Sequence, residues 1–198
     1  MELILIRHGE TAWNREGKVQ GISDIELNEE GRHQARQLAL SLRESDFQAI
    51  YSSPLLRACQ TARIINRYHQ VPLHLEAGLM EMDQGDFEGL SFRELMACEK
   101  EFLKKWLSDP ASVRMPQGES FLELQRRAWR VIEGIVAKAD NALVVSHNFT
   151  IASILCKIKK ISLSEFRSVH VDTASKTVVS FRGGAASIEL FNDRRHLQ

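Results

Sequence analysis

Two apolar segments far apart in the chain are each followed, after one polar residue, by a histidine, and they constrain the fold more than any other feature. Leu3–Ile6 is unbroken by polar residues and leads to His8, and Ala142–Val145 leads in the same way to His147. Continuous apolar runs of this length are typical of strands that are buried on both faces. Such strands occur in sheets that carry helices on both sides, so the chain is predicted to adopt an α/β fold.

The rest of the chain alternates between strand and helix patterns, as a parallel sheet with crossover helices requires. Helices are expected at about residues 29–44, 54–68, 120–139 and 149–160, and further strands at about 49–51 and 71–75. Alternating segments at 177–181 and 186–191 surround a Gly-Gly pair and predict a hairpin. The predicted fold is a three-layer α/β/α sandwich with a mostly parallel sheet and a C-terminal β-hairpin.

Residues with capping character mark the start of three of these helices. Asn28 precedes the first, Ser53 stands before Pro54 at the second, and Ser120 is followed by a glutamate three residues later. Asn and Ser side chains accept hydrogen bonds from the first turn of a helix, and proline suits its first position. We therefore expect Ser53 to be an N-cap, with Pro54 as the first helical residue.

Two segments interrupt the alternation. Residues 15–27 are glycine-containing and loop-like, and residues 78–118 pass from an acidic, glycine-rich loop into short helical stretches. A chain of 198 residues suits a single domain with a substantial core. We expect residues 1–198 to form one domain in which the insertion at about 78–118 covers the active site.

The composition excludes several functional classes. The 26 basic and 26 acidic side chains cancel, so no global field attracts nucleic acid or an anionic membrane. No apolar run approaches the roughly 20 residues that span a bilayer, and the N-terminus does not resemble a signal peptide. The three cysteines are widely spaced and indicate reduced thiols. These features predict a cytoplasmic protein with no nucleic-acid and no membrane partner.

Polar side chains from three strand ends are expected to meet at one edge of the sheet. Arg7 and His8 follow the first strand, Arg57 lies in the first turn of the next helix, and His147 follows a later strand. Guanidinium groups bind the oxygens of an anion such as phosphoryl, and an imidazole can attack phosphorus without a metal. Nearby guanidinium charge also favours the neutral, nucleophilic imidazole. The arrangement predicts phosphoryl transfer through a phosphohistidine.

Such a reaction also needs a carboxylic acid that protonates the leaving alkoxide. The acidic loop in the insertion offers four candidates, namely Glu81, Asp83, Asp86 and Glu88. Their spacing alone does not select one of them.

Short motifs along nearly the whole chain carry a family resemblance. They are Arg7-His-Gly-Glu-Thr11, Trp13-Asn14, Gln20-Gly21, Tyr51-Ser-Ser-Pro-Leu55, Arg57-Ala58, Gln60-Thr-Ala62, Glu81, Gly85, Phe87-Glu-Gly89, Gly118-Glu-Ser120 and Val144-Val-Ser-His147. In type and order these motifs resemble the histidine phosphatase, or phosphoglycerate mutase-like, superfamily, and within it the small bacterial-type phosphatases. The resemblance implies the phosphoglycerate mutase-like fold.

The resemblance also implies residue roles. His8 matches the phosphorylated nucleophile and Glu81 the proton donor, while Arg7, Arg57 and His147 match residues that hold the phosphoryl group. Contacts to the phosphate or substrate are expected from Asn14, Gln20, Gly21 and Asn148. No metal and no cofactor is expected.

Asn148 departs from the family pattern, because a glycine is often found after the second histidine. Asparagine tolerates left-handed backbone well, so we expect the phosphate site to be retained.

We predict a metal-independent phosphatase that hydrolyses small phosphomonoesters. The alternatives are a cofactor-dependent phosphoglycerate mutase, which returns the phosphoryl group to a second hydroxyl, and a non-catalytic protein that binds a phosphate ligand. About forty residues at 78–118 and seven after Phe191 leave little chain to form a lid, so water is the expected acceptor. Trp106 is expected at the pocket mouth. The sequence does not name the phosphomonoester, and a homodimer remains open.

Overall fold

The computed structural model describes residues 1–138 and 140–198, and its centre is one six-stranded sheet. The strands are β1 Glu2–Arg7, β2 Ala49–Ser52, β3 Leu73–Leu75, β4 Ala142–Ser146, β5 Lys176–Arg182 and β6 Ala185–Asp193. Their order in the sheet is β3-β2-β4-β1-β5-β6. The first four strands in this order are parallel, and the hairpin β5–β6 is added antiparallel to β1 at the other side. The predicted parallel sheet and C-terminal hairpin are confirmed.

The register between β1 and β4 brings the two candidate histidines together. Arg7 pairs with Ser146, so the residues that follow them leave the sheet at the same edge. The N–H of His8 still donates to the carbonyl of Ser146, over 3.0 Å. His8 and His147 are thereby neighbours, with ring centroids 5.0 Å apart.

Seven α-helices of the described residues surround the sheet. They are α1 Ala12–Glu16, α2 Glu29–Leu42, α3 Leu56–Asn66, α4 Phe92–Cys98, α5 Lys100–Ser108, α6 Phe121–Val136 and α7 Asn148–Lys159. Side chains of β1 alternate between two cores, because Ile4 and Ile6 pack with α2 and α3 while Leu3 and Leu5 pack with α6 and α7. This burial on both faces is the reason for the continuous apolar runs, and it confirms the three-layer sandwich.

The structure differs from the sequence-based predictions in three local details. Part of the expected loop at 15–27 is helical, because Thr11 caps α1. Ser53 is not an N-cap, since α3 begins only at Leu56 and the Ser53 hydroxyl lies 2.8 Å from a ring nitrogen of His147. The helix predicted to reach about residue 139 ends at Val136, and residue 139 itself lies outside the described residues.

Two glycines let α2 pack directly against the loop that follows β1. A Cβ atom on Gly31 would lie 2.0 Å from the carbonyl oxygen of Glu10, and one on Gly9 would lie 2.4 Å from the carbonyl oxygen of Gly31. Any side chain at either position would push the backbone apart. This contact fixes the loop that carries His8.

Candidate active site

His8 is held so that one ring nitrogen stays open. The ring is 2% exposed, and its Nδ1 lies 2.7 Å from the carbonyl oxygen of Gly9. A carbonyl only accepts hydrogen bonds, so this contact assigns the proton to Nδ1 and leaves a lone pair on Nε2. Burial, and then the charges of Arg57 and Arg7, hold the pKa of His8 well below its usual value of 6.5. The imidazole is neutral at physiological pH, as a nucleophile must be.

Arg57 is fully buried and is oriented by three hydrogen bonds. Its Nε donates to Nδ1 of His147 over 3.2 Å, and its terminal nitrogens donate to the carbonyls of Ser23 and Gly21 over 2.8 and 2.7 Å. A guanidinium has five N–H groups, so others remain for an anion in the adjoining cavity. Burial lowers the pKa of Arg57 to about 10, against the opposing charge of Glu81, so it stays cationic at neutral pH.

Arg7 brings a second guanidinium to the same cavity from the end of β1. One terminal nitrogen donates to the carbonyl of Val171 over 2.7 Å. Its Nε is buried and has no hydrogen-bond partner among the described residues. A buried donor without a partner is costly, so an anion in the cavity would satisfy it.

His147 lies behind Arg57. Its Nδ1 accepts from Arg57 and its Nε2 meets the hydroxyl of Ser53, so both ring nitrogens are engaged by protein groups. Burial, and then the charges of Arg57 and His8, lower its pKa well below the usual value. Among the described residues, His147 is not one of those that line the cavity. In this conformation it positions Arg57, and its contact with a phosphoryl group stays a prediction.

Glu81 lies at the N-terminus of α7, opposite the arginines. Its carboxylate accepts three hydrogen bonds from the N–H groups of Met82, Phe149 and Thr150, over 2.9–3.3 Å. The Thr150 hydroxyl lies 3.2 Å from the same carboxylate and donates its proton to the carbonyl of Met80 over 2.8 Å. The donors from a helix N-terminus fix the direction of the side chain. Among the described residues, Glu81 is the acidic side chain that lines the cavity, and its role as proton donor stays a prediction.

An arginine on α6 that the sequence did not single out holds the backbone around Glu81. Arg127 donates to the carbonyls of Gly78, Met80 and Glu81 over 2.7–2.9 Å, and its Nε donates to Glu119 over 3.1 Å. The three contacts with carbonyls join residues that are 46–49 positions apart in the chain, and no local sequence pattern predicts them.

Glu88, a candidate acid on sequence grounds, has a different place. One carboxylate oxygen accepts from the N–H groups of Ile22 and Gln84, and the other from the N–H and hydroxyl of Ser23, over 2.5–3.2 Å. The same loop supplies the carbonyls that hold Arg57. Glu88 therefore anchors the loop that orients Arg57.

The two remaining acidic candidates lie apart from the cavity lining. Asp83 accepts from the N–H of Gly85 over 2.9 Å, which closes a local turn. Asp86 is exposed at the surface.

The two amide side chains predicted to contact the phosphate, Asn14 and Gln20, lie in the cavity lining. Oδ1 of Asn14 accepts from the N–H of Thr11 over 3.1 Å, and Oε1 of Gln20 lies 2.9 Å from the Thr11 hydroxyl. Both side chains line the cavity, and their amide nitrogens are the groups that can donate to a ligand. Gly21, also in the lining, uses its carbonyl to hold Arg57.

Asn148 lines the cavity as well, and its backbone does not use the left-handed conformation that asparagine tolerates. It begins α7 and is not among the left-handed residues of the described chain. The helix starts directly after His147, so the backbone there is right-handed. The side-chain oxygen of Asn148 accepts from the N–H of Val171 over 3.1 Å.

These side chains form one end of a cavity of about 440 Å³, whose other end is apolar. The apolar wall comes from the insertion and from the segment after α7. Its main residues are Phe87, Phe92, Leu95, Phe102, Trp106 and Phe166. Trp106 lies in the cavity lining, but it is buried in the wall rather than exposed at the predicted mouth.

Two further findings concern the described residues only. No group of three or more His, Cys, Asp or Glu side chains there is arranged to hold a metal ion. No helix in the described ranges is long and apolar enough to cross a bilayer.

Comparison with known proteins shows which family the chain belongs to. The profile of the histidine phosphatase superfamily (branch 1) matches residues 3–194. Phosphoserine phosphatase 1 of Hydrogenobacter thermophilus is 33% identical over 90% of this chain and 86% of its own length. The adenosylcobalamin/alpha-ribazole phosphatase of Salmonella typhimurium is 31% identical over 98% of this chain and 97% of its own length.

Solved structures agree. The structure of Bacillus stearothermophilus YhfR superposes with a TM-score of 0.94 at 29% identity and covers 100% of this chain and 99% of its own. The chain therefore belongs to the histidine phosphatase superfamily, branch 1, and the predicted family and fold are confirmed.

Proposed function

We propose that the protein is a phosphatase that hydrolyses small phosphomonoesters through a phosphohistidine on His8, without a metal ion. The observation that carries this proposal is the open Nε2 of a neutral His8 beside two guanidinium groups, Arg7 and Arg57. The chain's relatives include named phosphatases, which supports hydrolysis of phosphate monoesters.

In the first step, Nε2 of His8 attacks phosphorus and forms the N–P bond as the P–O bond to the alcohol breaks. The leaving oxygen takes a proton from the Glu81 carboxyl, and the arginines neutralise the oxygens that stay on phosphorus. In the second step, water attacks the phosphohistidine and gives its proton to Glu81. Inorganic phosphate leaves, and both side chains return to their starting states.

We further propose that residues 1–198 act as one catalytic domain in the cytoplasm, with the insertion at 78–118 covering the site. Side chains of α4 and α5 in the wall of the cavity support this arrangement of the insertion. The balanced charge supports a small-molecule substrate rather than nucleic acid or a membrane surface as the partner. A homodimer is compatible with this proposal and is not required by it.

The test is rapid acid-free quenching with a ³²P-labelled phosphomonoester in the presence of EDTA. We expect a phosphoprotein that is stable in base and labile in acid, with the label on His8, and undiminished turnover in EDTA. A label on serine, or activity that EDTA abolishes and Mg²⁺ restores, would contradict the proposal.

A second measurement distinguishes hydrolysis from mutase activity. The enzyme is supplied with 3-phosphoglycerate and a catalytic amount of 2,3-bisphosphoglycerate, and free phosphate and 2-phosphoglycerate are followed together. We expect free phosphate as the main product. Rapid formation of 2-phosphoglycerate with little phosphate would favour the mutase alternative.

A further inference from the structure

We infer that the alcohol part of the preferred substrate carries an aromatic ring, or an apolar group of similar size, that fills the apolar end of the cavity. This inference rests on the proposed phosphatase activity and specifies its substrate class. It separates an apolar phosphomonoester from short polar ones such as a phosphorylated amino acid or sugar acid.

The first support is apolar surface left open at the mouth of the cavity. Phe92 on α4 is 57% exposed and Leu107 on α5 is 50% exposed, and both line the cavity. Deeper in the wall, Leu95 and Leu103 are almost fully buried. Exposed apolar side chains that continue a buried apolar wall are characteristic of a ligand groove.

The second support is that the wall is rigid and already formed. Four rings, Trp106, Phe121, Phe149 and Phe166, contact one another in all six pairings, with centroids 5.0–6.0 Å apart. Since Phe149 also donates its N–H to Glu81, the ring cluster is fixed directly beside the proposed acid. A preformed wall costs little ordering when a flat ligand group binds.

An arginine connects two segments of this wall. Arg167, which lies in the 3₁₀ helix Leu163–Val169, donates to the carbonyls of Trp106 and Leu107 over 3.3 Å. Its guanidinium also stands 4.9 Å from the centroid of the Phe166 ring. Thus α5 is tied to the segment after α7.

The third support is the scarcity of negative charge for a substrate that carries an ammonium group. A phosphorylated amino acid would bring an ammonium group, which requires acceptors or a negative partner. Among the described residues that line the cavity, Glu81 is the only carboxylate, and its oxygens already accept three hydrogen bonds from backbone N–H groups. The apolar end therefore matches a ring better than an ammonium.

The experiment compares esters of primary alcohols, so that differences in leaving group stay small. The substrates are 2-(1-naphthyl)ethyl phosphate, propyl phosphate, phosphoserine and 3-phosphoglycerate. We expect kcat/KM for the naphthyl ester to exceed each of the others by about 10-fold or more, because apolar contact of this kind discriminates on that scale.

A pair of matched variants assigns the preference to the wall. Phe92→Ala is expected to reduce the ratio of kcat/KM for the naphthyl and propyl esters by about 5-fold. The control is Phe191→Ala, which removes a phenylalanine of similar exposure on β6, outside the cavity lining, and is expected to leave the ratio unchanged.

The outcomes separate the two proposals. Equal kcat/KM for all four esters, or a clear preference for phosphoserine or 3-phosphoglycerate, would overturn the inference while leaving the phosphatase proposal intact. No phosphate released from any ester, together with no phosphohistidine, would instead overturn the proposed function on which the inference rests.

Discussion

The end of the cavity where we propose that the phosphoryl group binds, called the phosphate end, is made from strand ends and first turns of helices, whereas the wall of its apolar end comes mainly from the insertion and the segment after α7. Arg7 and His8 leave β1, Arg57 lies in the first turn of α3, and each is held by a hydrogen bond to a backbone carbonyl. The apolar end is instead held by ring packing among side chains from α5, α6 and α7. A change at the first end should affect every substrate alike, and a change at the second should alter selectivity.

The largest expected effect comes from removing the nucleophile. His8→Ala should lower kcat for every ester by a factor on the order of 10⁵, because loss of a covalent nucleophile leaves only positioning and charge stabilisation. The apolar end should be unaffected, so calorimetry should still detect binding of 2-(1-naphthyl)ethyl phosphate. The control is His33→Ala, on the exposed side of α2. Turnover retained in His8→Ala would disprove the two-step mechanism.

The next effect tests the acid. Glu81→Gln should slow alkyl esters by about 10²–10⁴-fold, the usual contribution of general acid catalysis, and should largely spare p-nitrophenyl phosphate. The phenolate of that ester leaves without much protonation. Steady-state kcat for propyl and p-nitrophenyl phosphate gives the comparison, with the exposed Asp86→Asn as control in the same loop. An equal loss on both esters would mean that Glu81 positions the substrate.

A smaller effect is expected where a residue acts through Arg57. In Glu88→Gln one acceptor oxygen becomes an amide nitrogen that faces N–H groups of loop 21–23, so the loop and the guanidinium it holds should shift. We expect kcat/KM to fall by about 10- to 100-fold, the scale of a small misplacement of a catalytic group. The factor should be the same for naphthyl and propyl esters, and inorganic phosphate should inhibit more weakly.

The control for Glu88→Gln is Glu101→Gln, which changes an exposed glutamate on α5. If Glu88→Gln changed only the ratio of kcat/KM for the naphthyl and propyl esters, the loop would contribute to the apolar end. Residues that hold Arg57 would then not affect all substrates alike. A protein that is only less stable would still be inhibited normally by phosphate at a temperature well below its Tm. Weaker inhibition by phosphate would therefore show that the site itself has changed.

The phosphate end could be predicted from the sequence because its signals are local. A buried strand that stops at a cation and a histidine places Arg7, His8 and His147 at one edge without knowledge of any long-range contact. The resemblance then selected Glu81 among four acids. What the sequence did not show is that His147 binds Arg57 and Ser53 rather than facing the cavity, because this depends on side-chain geometry.

The apolar end and the anchoring residues were largely missed, and for one reason. Arg127 and Glu88 act through contacts with segments 46 or more positions away in the chain, and such contacts leave no periodic pattern. The short helices α4 and α5 present few repeats from which an apolar face can be recognised. Trp106 was expected at the mouth, but nothing in the sequence linked it to Phe149 and Phe166.

The smallest effect concerns stability, and it also separates the two ends, because the buried histidines lie at the phosphate end. The pKa values of His8 and His147 are lowered well below 6.5, chiefly by burial. Below pH 6.5 the unfolded chain therefore binds protons that the folded chain does not, and stability is lost as the pH falls. We expect Tm, measured by circular dichroism, to fall by a few degrees per pH unit between pH 6.5 and 5.

The double variant His8→Asn/His147→Asn should show a shallower dependence of Tm on pH than the parent protein. Some dependence should remain, because burial also lowers the pKa values of His69, His170 and His196. Phe92→Ala, which alters only the apolar end, should keep the full slope. If the double variant kept the full slope as well, the two buried imidazoles would not be the groups that exclude protons from the folded state. The neutral, nucleophilic His8 on which the phosphate end depends would then lose its physical basis.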